Sequence, residues 1–295
     1  MAGSDTEDTS DLAGLEAGLD ALERPAAAAR TSFGRRVLAT VLPPLCTVVL
    51  IVGAWQLAAA LDLKPDHVLP GPLDVARSIR RMWLEGTLLG YVWTSVSRGA
   101  FGFCMSIVIG TPLGLAVARI RAVRAAIGPI LSGLQSLPSV AWVPAAMIWF
   151  GLTDTTVYAV VLLGAVPSIA NGLVAGVDQT PPLYLRAGRV VGATGLASVR
   201  HVLLPAALPG FLAGLKQGWA FAWRSLMAAE LIASSPDLGT GLGQLLENFR
   251  TYSDMPGVLA TIILILLVGI GIDVLVFSPL ERRVLRSRGL AGRAG

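Results

Sequence analysis

The chain has 295 residues, of which 54% are hydrophobic and 14% are charged, and its formal net charge is +4. Several apolar runs exceed the roughly 20 residues that a helix needs to cross a hydrocarbon layer, which predicts an all-α, polytopic membrane protein rather than a soluble one. Neither lysine follows a glycine in a Gly-Lys-Ser/Thr phosphate loop, so nucleotide hydrolysis by that route is excluded. Two histidines and two cysteines, all distant in sequence, do not suggest a metal cluster, and we predict no catalytic residue.

The first 35 residues are predicted to form an N-terminal tail. Residues 1–30 carry seven acidic side chains and lack the basic segment that precedes the apolar core of a signal peptide. Leucines recur at helical spacing between Leu12 and Leu22, so a short surface helix and a disordered tail both fit this segment. Residues 36–285 are predicted to form the membrane domain, and residues 286–295 a basic C-terminal tail.

Six apolar stretches are predicted to span the membrane: 38–61, 90–118, 125–150, 155–177, 211–233 and 257–279. Pro138 and Pro144 interrupt the third, where each proline removes a backbone donor and kinks the helix. Between the first two spans, apolar and basic side chains alternate at helical spacing from Leu73 to Leu84, which predicts a short amphipathic surface helix.

The arginines predict the orientation of these spans. With an even number of spans both termini share one side, and that side holds most of the arginines, including those of the loop 178–210. The positive-inside rule therefore predicts that both termini and this loop are cytoplasmic and that the Leu73–Leu84 helix is external. Because the arginines flank spans, the net positive charge does not point to nucleic acid.

The loop 178–210 contains a run of small residues and arginines from Tyr184 to Gly195, followed by Leu-Pro. It resembles the cytoplasmic coupling loop of ABC-importer permeases, whose pattern is Glu-Ala-Ala, three residues, Gly, nine residues, Ile, any residue, Leu-Pro. Arg186 stands where that pattern has Glu, and Arg189 lies in the three-residue spacer. The positions that match it are Ala187, Gly188, Gly192, Val202, Leu204 and Pro205.

Further segments between about residues 65 and 285 resemble the sulfonate, taurine and nitrate branch of this family, among them Leu69-Pro70-Gly71-Pro72 and Ser95-Val96-Ser97-Arg98. The resemblance implies a type I ABC-importer permease fold in the bacterial inner membrane. It also implies a homodimer of permeases that carries a small organic or inorganic anion such as a sulfonate, taurine or nitrate. Its expected partners are an external solute-binding protein and a cytosolic ATPase dimer, which holds the ATP and Mg, while this chain binds no cofactor.

Polar residues inside the predicted spans are candidates for the translocation pathway: Gln135, Ser139, Asn171, Gln217, Trp223, Arg224 and Glu230. Simple hydrogen bonding between helices is the alternative for the uncharged ones. Arg224 either attracts an anion in transit or forms a structural pair with a carboxylate, for which Asp273 is one candidate. Glu230 lies on another face of the same helix and either supports packing or pairs across a dimer.

A second functional class is an ion-coupled secondary transporter that works without an ATPase. Such a protein would couple transport to an ion gradient through intramembrane carboxylates. Only Glu230 and Asp273 lie well inside the predicted spans, and no inverted repeat is evident.

Overall fold

A computed structural model describes residues 33–61, 64–65, 67–233 and 239–287. The predicted surface helix between Leu12 and Leu22 and most of both predicted tails lie outside these ranges. The chain divides into two compact units, of which the first contains most of the first helix and the second runs from Ala58 to Gly292. In the described ranges every regular element is helical, as the sequence predicts.

The helices follow one another along the chain. In chain order they are α1 Phe33–Ala60, α2 Pro72–Leu84, α3 Leu88–Arg119, α4 Arg121–Ser136, a 3-10 turn Ser139–Trp142, α5 Val143–Phe150, α6 Asp154–Asp178, α7 Pro182–Val190, α8 Gly195–Ser198, a π-helical turn Val199–Leu203, α9 Leu204–Ile232, α10 Leu242–Thr251, α11 Met255–Ile272, a second π-helical turn Asp273–Phe277, and α12 Ser278–Ser287.

Four stretches in the described ranges are long and apolar enough to cross a membrane: Leu42–Ala60, Leu88–Arg119, Asp154–Asp178 and Met255–Arg286. The pair formed by α4 and the segment Ser139–Phe150 would make a fifth. The predicted span 211–233 lies within α9 except for its last residue, and α9 is long enough to cross a membrane but carries Lys216, Arg224 and Glu230. The polar character of α9 is therefore the main departure from a set of six apolar spans.

The third predicted span, 125–150, is not one kinked helix. The axes on either side of its break differ by 100°. Leu137 is extended, with ψ 133, because the proline that follows disfavours a helical conformation at this residue. Pro144 lies in the first turn of α5, where its missing N–H costs nothing, so it starts a helix rather than kinking one. At a rise of 1.5 Å per residue, α4 and α5 are about 24 and 12 Å long, too short for either to span alone.

Helix α6 packs against both α3 and α9. The contact with α9 is close because glycines face each other: a Cβ added at Gly172 would lie 2.3 Å from the Cα of Gly214, and one added at Gly176 would lie 2.5 Å from the carbonyl oxygen of Ala207. Between these two helices backbone touches backbone, which is typical of small residues at helix–helix contacts in membranes. Side chains of α6 such as Val160 and Ile169 are fully buried.

The predicted amphipathic helix is confirmed as α2. It buries Val75, Ser78 and Met82 and packs against α11. Arg77 on its exposed side pairs with Asp74 at 2.8 Å.

Candidate functional site

The loop with the family pattern folds into a short helix and a tight turn. Helix α7 starts at Pro182, and its last turn closes through hydrogen bonds from the Gly192 N–H to the Arg189 carbonyl (3.1 Å) and from the Ala193 N–H to the Gly188 carbonyl (2.9 Å). Gly192 has φ +84, a left-handed backbone conformation that residues other than glycine rarely adopt. The glycine of the pattern therefore ends the helix.

Gly188 connects α7 to the turn that leads into α9. A Cβ at Gly188 would lie 2.8 Å from Cγ2 of Val202, so a side chain at this position would require Val202 to shift. Leu203, next to Val202, is 1% exposed, and Pro205 lies in the first turn of α9. Two matched positions that are 14 residues apart thus touch each other, which joins α7 to the start of α9.

The opposite side of α7 is exposed. Arg186, Ala187 and Arg189 all face away from the protein, and Val190 and Val191 at the helix end are 88% and 82% exposed. In the described part of the chain, the only hydrogen bond made by the side chains of these arginines is a long one from Arg189 Nε to the carbonyl of Leu185, at 3.4 Å. The loop therefore presents a surface that combines cationic and apolar side chains.

Three of the predicted pathway residues line one cavity. Gln135 of α4, Asn171 of α6 and Gln217 of α9 surround a space of about 510 Å³. Asn171 Nδ2 donates to Gln135 Oε1 at 2.8 Å, and Gln135 Nε2 donates to Ser168 Oγ at 3.2 Å. These two hydrogen bonds join α4 to α6 at the edge of the open space, and Gln217 borders the same space from α9.

A second and larger cavity, of about 820 Å³, lies between α9 and the α11–α12 segment. Its walls include Gln217, Trp223 and Arg224 of α9, so Gln217 borders both cavities. The walls are mostly apolar, and Trp219 and Trp223 lie in them with stacked rings whose centroids are 6.0 Å apart.

Arg224 does not pair with Asp273, so that candidate pairing is wrong. Asp273 instead binds Lys216, with 3.2 Å between Oδ1 and Nζ. The side chain of Arg224 is exposed; its Nε donates to the carbonyl of Ala220 at 3.1 Å, and its guanidinium lies 4.6 Å from the ring centre of Phe221. Its recorded partners are therefore an adjacent carbonyl and an aromatic ring, and neither carries a charge.

Ser139 is held by a hydrogen bond from the hydroxyl of Ser225, at 2.7 Å. Ser225 lies on α9 and is fully buried. The bond ties the 3-10 turn that follows the Pro138 break to α9, as expected of hydrogen bonding between helices.

Glu230 is 1% exposed and lies inside the packed protein rather than on an open face. Its carboxylate accepts hydrogen bonds from Ser95 Oγ at 2.7 Å, from the Gly243 N–H at 3.0 Å and from Arg98 Nη1 at 3.3 Å. Arg98 also pairs with Asp154 at 2.9 Å. We call Ser95, Arg98, Asp154 and Glu230 the buried ion cluster; it joins α3, α6, α9 and the start of α10.

Sequence reasoning did not identify this cluster as a unit. The available signal was that Arg98 and Glu230 are opposite charges inside two predicted spans, 90–118 and 211–233, near the ends that share one side. The glycines before α10 belong to the same arrangement, because a Cβ at Gly241 would lie 2.5 Å from both carboxylate oxygens of Glu230.

Comparisons with known proteins agree with this architecture. Residues 110–285 match the family model described as "Binding-protein-dependent transport system inner membrane component". The putative aliphatic sulfonates transport permease protein of Bacillus subtilis (strain 168) is 29% identical over 238 residues, which cover 81% of this chain and 84% of that protein. The taurine transport system permease protein of Escherichia coli (strain K12) is 28% identical over 234 residues, covering 78% and 85%.

Among solved structures, a chain of the inward-facing MetNI methionine ABC transporter matches with a TM-score of 0.53 and 23% identity, over 69% of this chain and 97% of that one. At this identity the match supports the fold, which is that of a type I importer permease. Together with the family match it does not favour an ion-coupled secondary transporter. The chain therefore belongs to the binding-protein-dependent transport system inner membrane components, the membrane permeases of ABC importers.

Proposed function

We propose that this permease pairs with a second copy of itself and forms the pathway through which a small organic anion, of the sulfonate or taurine kind, enters the cell. A cytosolic ATPase dimer supplies the energy and holds the ATP and Mg, and an external solute-binding protein delivers the anion. This chain itself binds no cofactor. The relatives named for aliphatic sulfonates and taurine support the class of solute.

The observation that carries the proposal is the polar character of α9 at the two cavities. Lys216, Gln217 and Arg224 follow one another along a helix of 29 residues and line the larger cavity. A charged side chain at the centre of a bilayer costs about 2.5–3.5 kcal/mol or more when it faces lipid. This side of α9 is therefore expected to face water or a second protein chain, as a pathway requires.

Arg224 is suited to meet an anion in this cavity. Its recorded contacts leave the charge uncompensated by a carboxylate, whereas Lys216 in the same wall is neutralised by Asp273. Trp219 and Trp223 offer the apolar surface that the organic part of a sulfonate would contact. A guanidinium binds planar or tetrahedral oxyanions through two hydrogen bonds at once.

The connection between α7 and α9 provides a route for coupling. Gly188 contacts Val202, and the chain continues without a break through the π-helical turn into α9. A movement of α7 by the ATPase would therefore shift the helix that lines both cavities. The loop is proposed to be cytoplasmic for this reason and because of the arginine distribution, with both termini on the same side.

The replacement Arg224→Gln tests the proposal in proteoliposomes that contain the permease, its ATPase and its binding protein. Because Arg224 is exposed and lacks a buried partner in the described chain, the complex should assemble in normal yield. Loss of charged hydrogen bonds worth about 1.5–3 kcal/mol should reduce taurine or alkanesulfonate uptake by about ten- to hundredfold. The matched control is Arg80→Gln on the exposed side of α2, which should transport normally.

Undiminished uptake by Arg224→Gln would refute the assignment of Arg224 to the pathway. A complex that falls apart would show that Arg224 serves packing. Uptake reduced to the same degree by Arg80→Gln would show a general effect of surface charge.

A further inference from the structure

The cytoplasmic loop between α6 and α9 has an unusual charge content. From Gln179 to Ala229 the sequence contains no acidic residue at all, whereas Arg186, Arg189 and Arg200 carry positive charge within the loop. All three arginines are exposed. Asp178, the last acid before the loop, is already paired with Arg124. All the charged side chains of this loop are therefore positive.

A cleft at the base of α7 concentrates this charge. Its volume is about 270 Å³, and its lining includes Arg119 at the end of α3, Arg189 on α7, and the hydroxyl-bearing Thr194 and Ser198. Arg119 is exposed, and no acidic residue lies among the residues that line the cleft. The cleft thus brings together two guanidinium groups and two hydroxyl groups. Both kinds of group donate hydrogen bonds and can bind a carboxylate.

We propose that this loop selects its ATPase by charge: the receiving groove of the partner carries carboxylates opposite Arg186 and Arg189, and one of them enters the cleft beside Arg119. The proposal rests on the coupling role proposed above and adds the chemistry of the partner surface. According to this proposal, Arg186 is a specificity-determining residue. An ATPase groove that offers positive charge to a glutamate at this position would repel Arg186 and reject the loop.

The shape of α7 favours a protein groove over a membrane surface. The helix has nine residues, or about 14 Å, and the tight turn at Gly192 follows it directly, so the two form a compact projection. Its most exposed apolar residues, Val190 and Val191, form a tip beside the Gly192 turn. A protruding apolar tip surrounded by cations can insert into a groove whose floor is apolar and whose rim is acidic.

The experiment measures docking of the purified ATPase onto the permease in nanodiscs made only of phosphatidylcholine, at 50 to 500 mM NaCl. For the wild type we expect the association rate to fall steeply as salt rises, because exposed charges are screened within about 8 Å at 0.15 M. The double variant Arg186→Glu/Arg189→Glu should bind at least about tenfold more weakly at 50 mM NaCl and lose the salt dependence. Arg119→Gln alone should weaken docking by about threefold.

The control is Arg80→Glu, which reverses the charge of an exposed arginine on α2 and should leave docking unchanged. Gly192→Trp separates this proposal from the coupling role, because it blocks the loop by bulk and not by charge. Lost docking in Gly192→Trp with wild-type, salt-dependent docking in Arg186→Glu/Arg189→Glu would overturn the charge proposal and leave the coupling role intact. Normal docking in Gly192→Trp would overturn both, and docking that occurs only in nanodiscs with anionic lipid would show that the arginines bind the membrane.

Discussion

Glu230→Ala should destabilise the permease strongly, because it removes the acceptor at the centre of the buried ion cluster. In the native protein this carboxylate, which is 1% exposed, accepts from Ser95, Gly243 and Arg98. After the change, Arg98 keeps its pair with the half-exposed carboxylate of Asp154 but loses the buried carboxylate, and the donors Ser95 and Gly243 lose their acceptor. Breaking a buried pair from one side costs about 3–5 kcal/mol, which corresponds to a fall in melting temperature of roughly 6–20 °C for a chain of this size.

The assay is thermal unfolding of the detergent-solubilised permease, followed by tryptophan fluorescence. The control is Glu247→Ala, which breaks a 2.6 Å pair with Arg250, whose side chain is largely exposed. A surface pair of this kind contributes about 0–1 kcal/mol. The double variant Arg98→Gln/Glu230→Gln should lose less stability than the two single changes add up to, since the charges depend on each other. A melting temperature within about 2 °C of the wild type for Glu230→Ala, or strict additivity in the double variant, would refute this account of the cluster.

Gly188→Val should place a side chain where Cγ2 of Val202 now lies, 2.8 Å from the position of the new Cβ. We expect a strain of about 1–3 kcal/mol and loss of ATPase stimulation by the loaded binding protein. The control Gly133→Ala has open space around the new methyl group and should be stimulated normally. Equal stimulation of the two variants would contradict the proposed contact of α7 with the start of α9. In a cysteine-free background, Arg80→Cys should react with an impermeant thiol reagent on intact cells and Arg186→Cys only after permeabilisation. The reverse pattern of labelling would show that the proposed orientation is wrong.

Much of the fold follows from local sequence features. The ends of α3 and α6 lie within about two residues of the predicted spans, since apolar runs bounded by charged or turn residues are local signals. Helix α2 and the end of α7 at Gly192 follow in the same way from amphipathic spacing and from a glycine at a left-handed position.

The remaining features depend on contacts between distant residues. Pro138 indicates an interruption, but the 100° turn depends on how the following segment packs on α6 and α9, to which the Ser225–Ser139 bond contributes. Arg98 and Glu230 are 132 residues apart, and several other charges of suitable sign were available to each. From the sequence alone, Asp273 was a candidate partner for Arg224. In the structure Asp273 lies at the start of a π-helical turn and pairs with Lys216 instead.

The most direct test of the central claim is uptake of radiolabelled taurine or alkanesulfonate into proteoliposomes that contain this permease, with and without its ATPase and binding protein. We predict uptake only when all three proteins and ATP are present, with no uptake by the permease alone under an imposed proton or sodium gradient. Gradient-driven uptake by the permease alone would contradict the account and establish a secondary transporter.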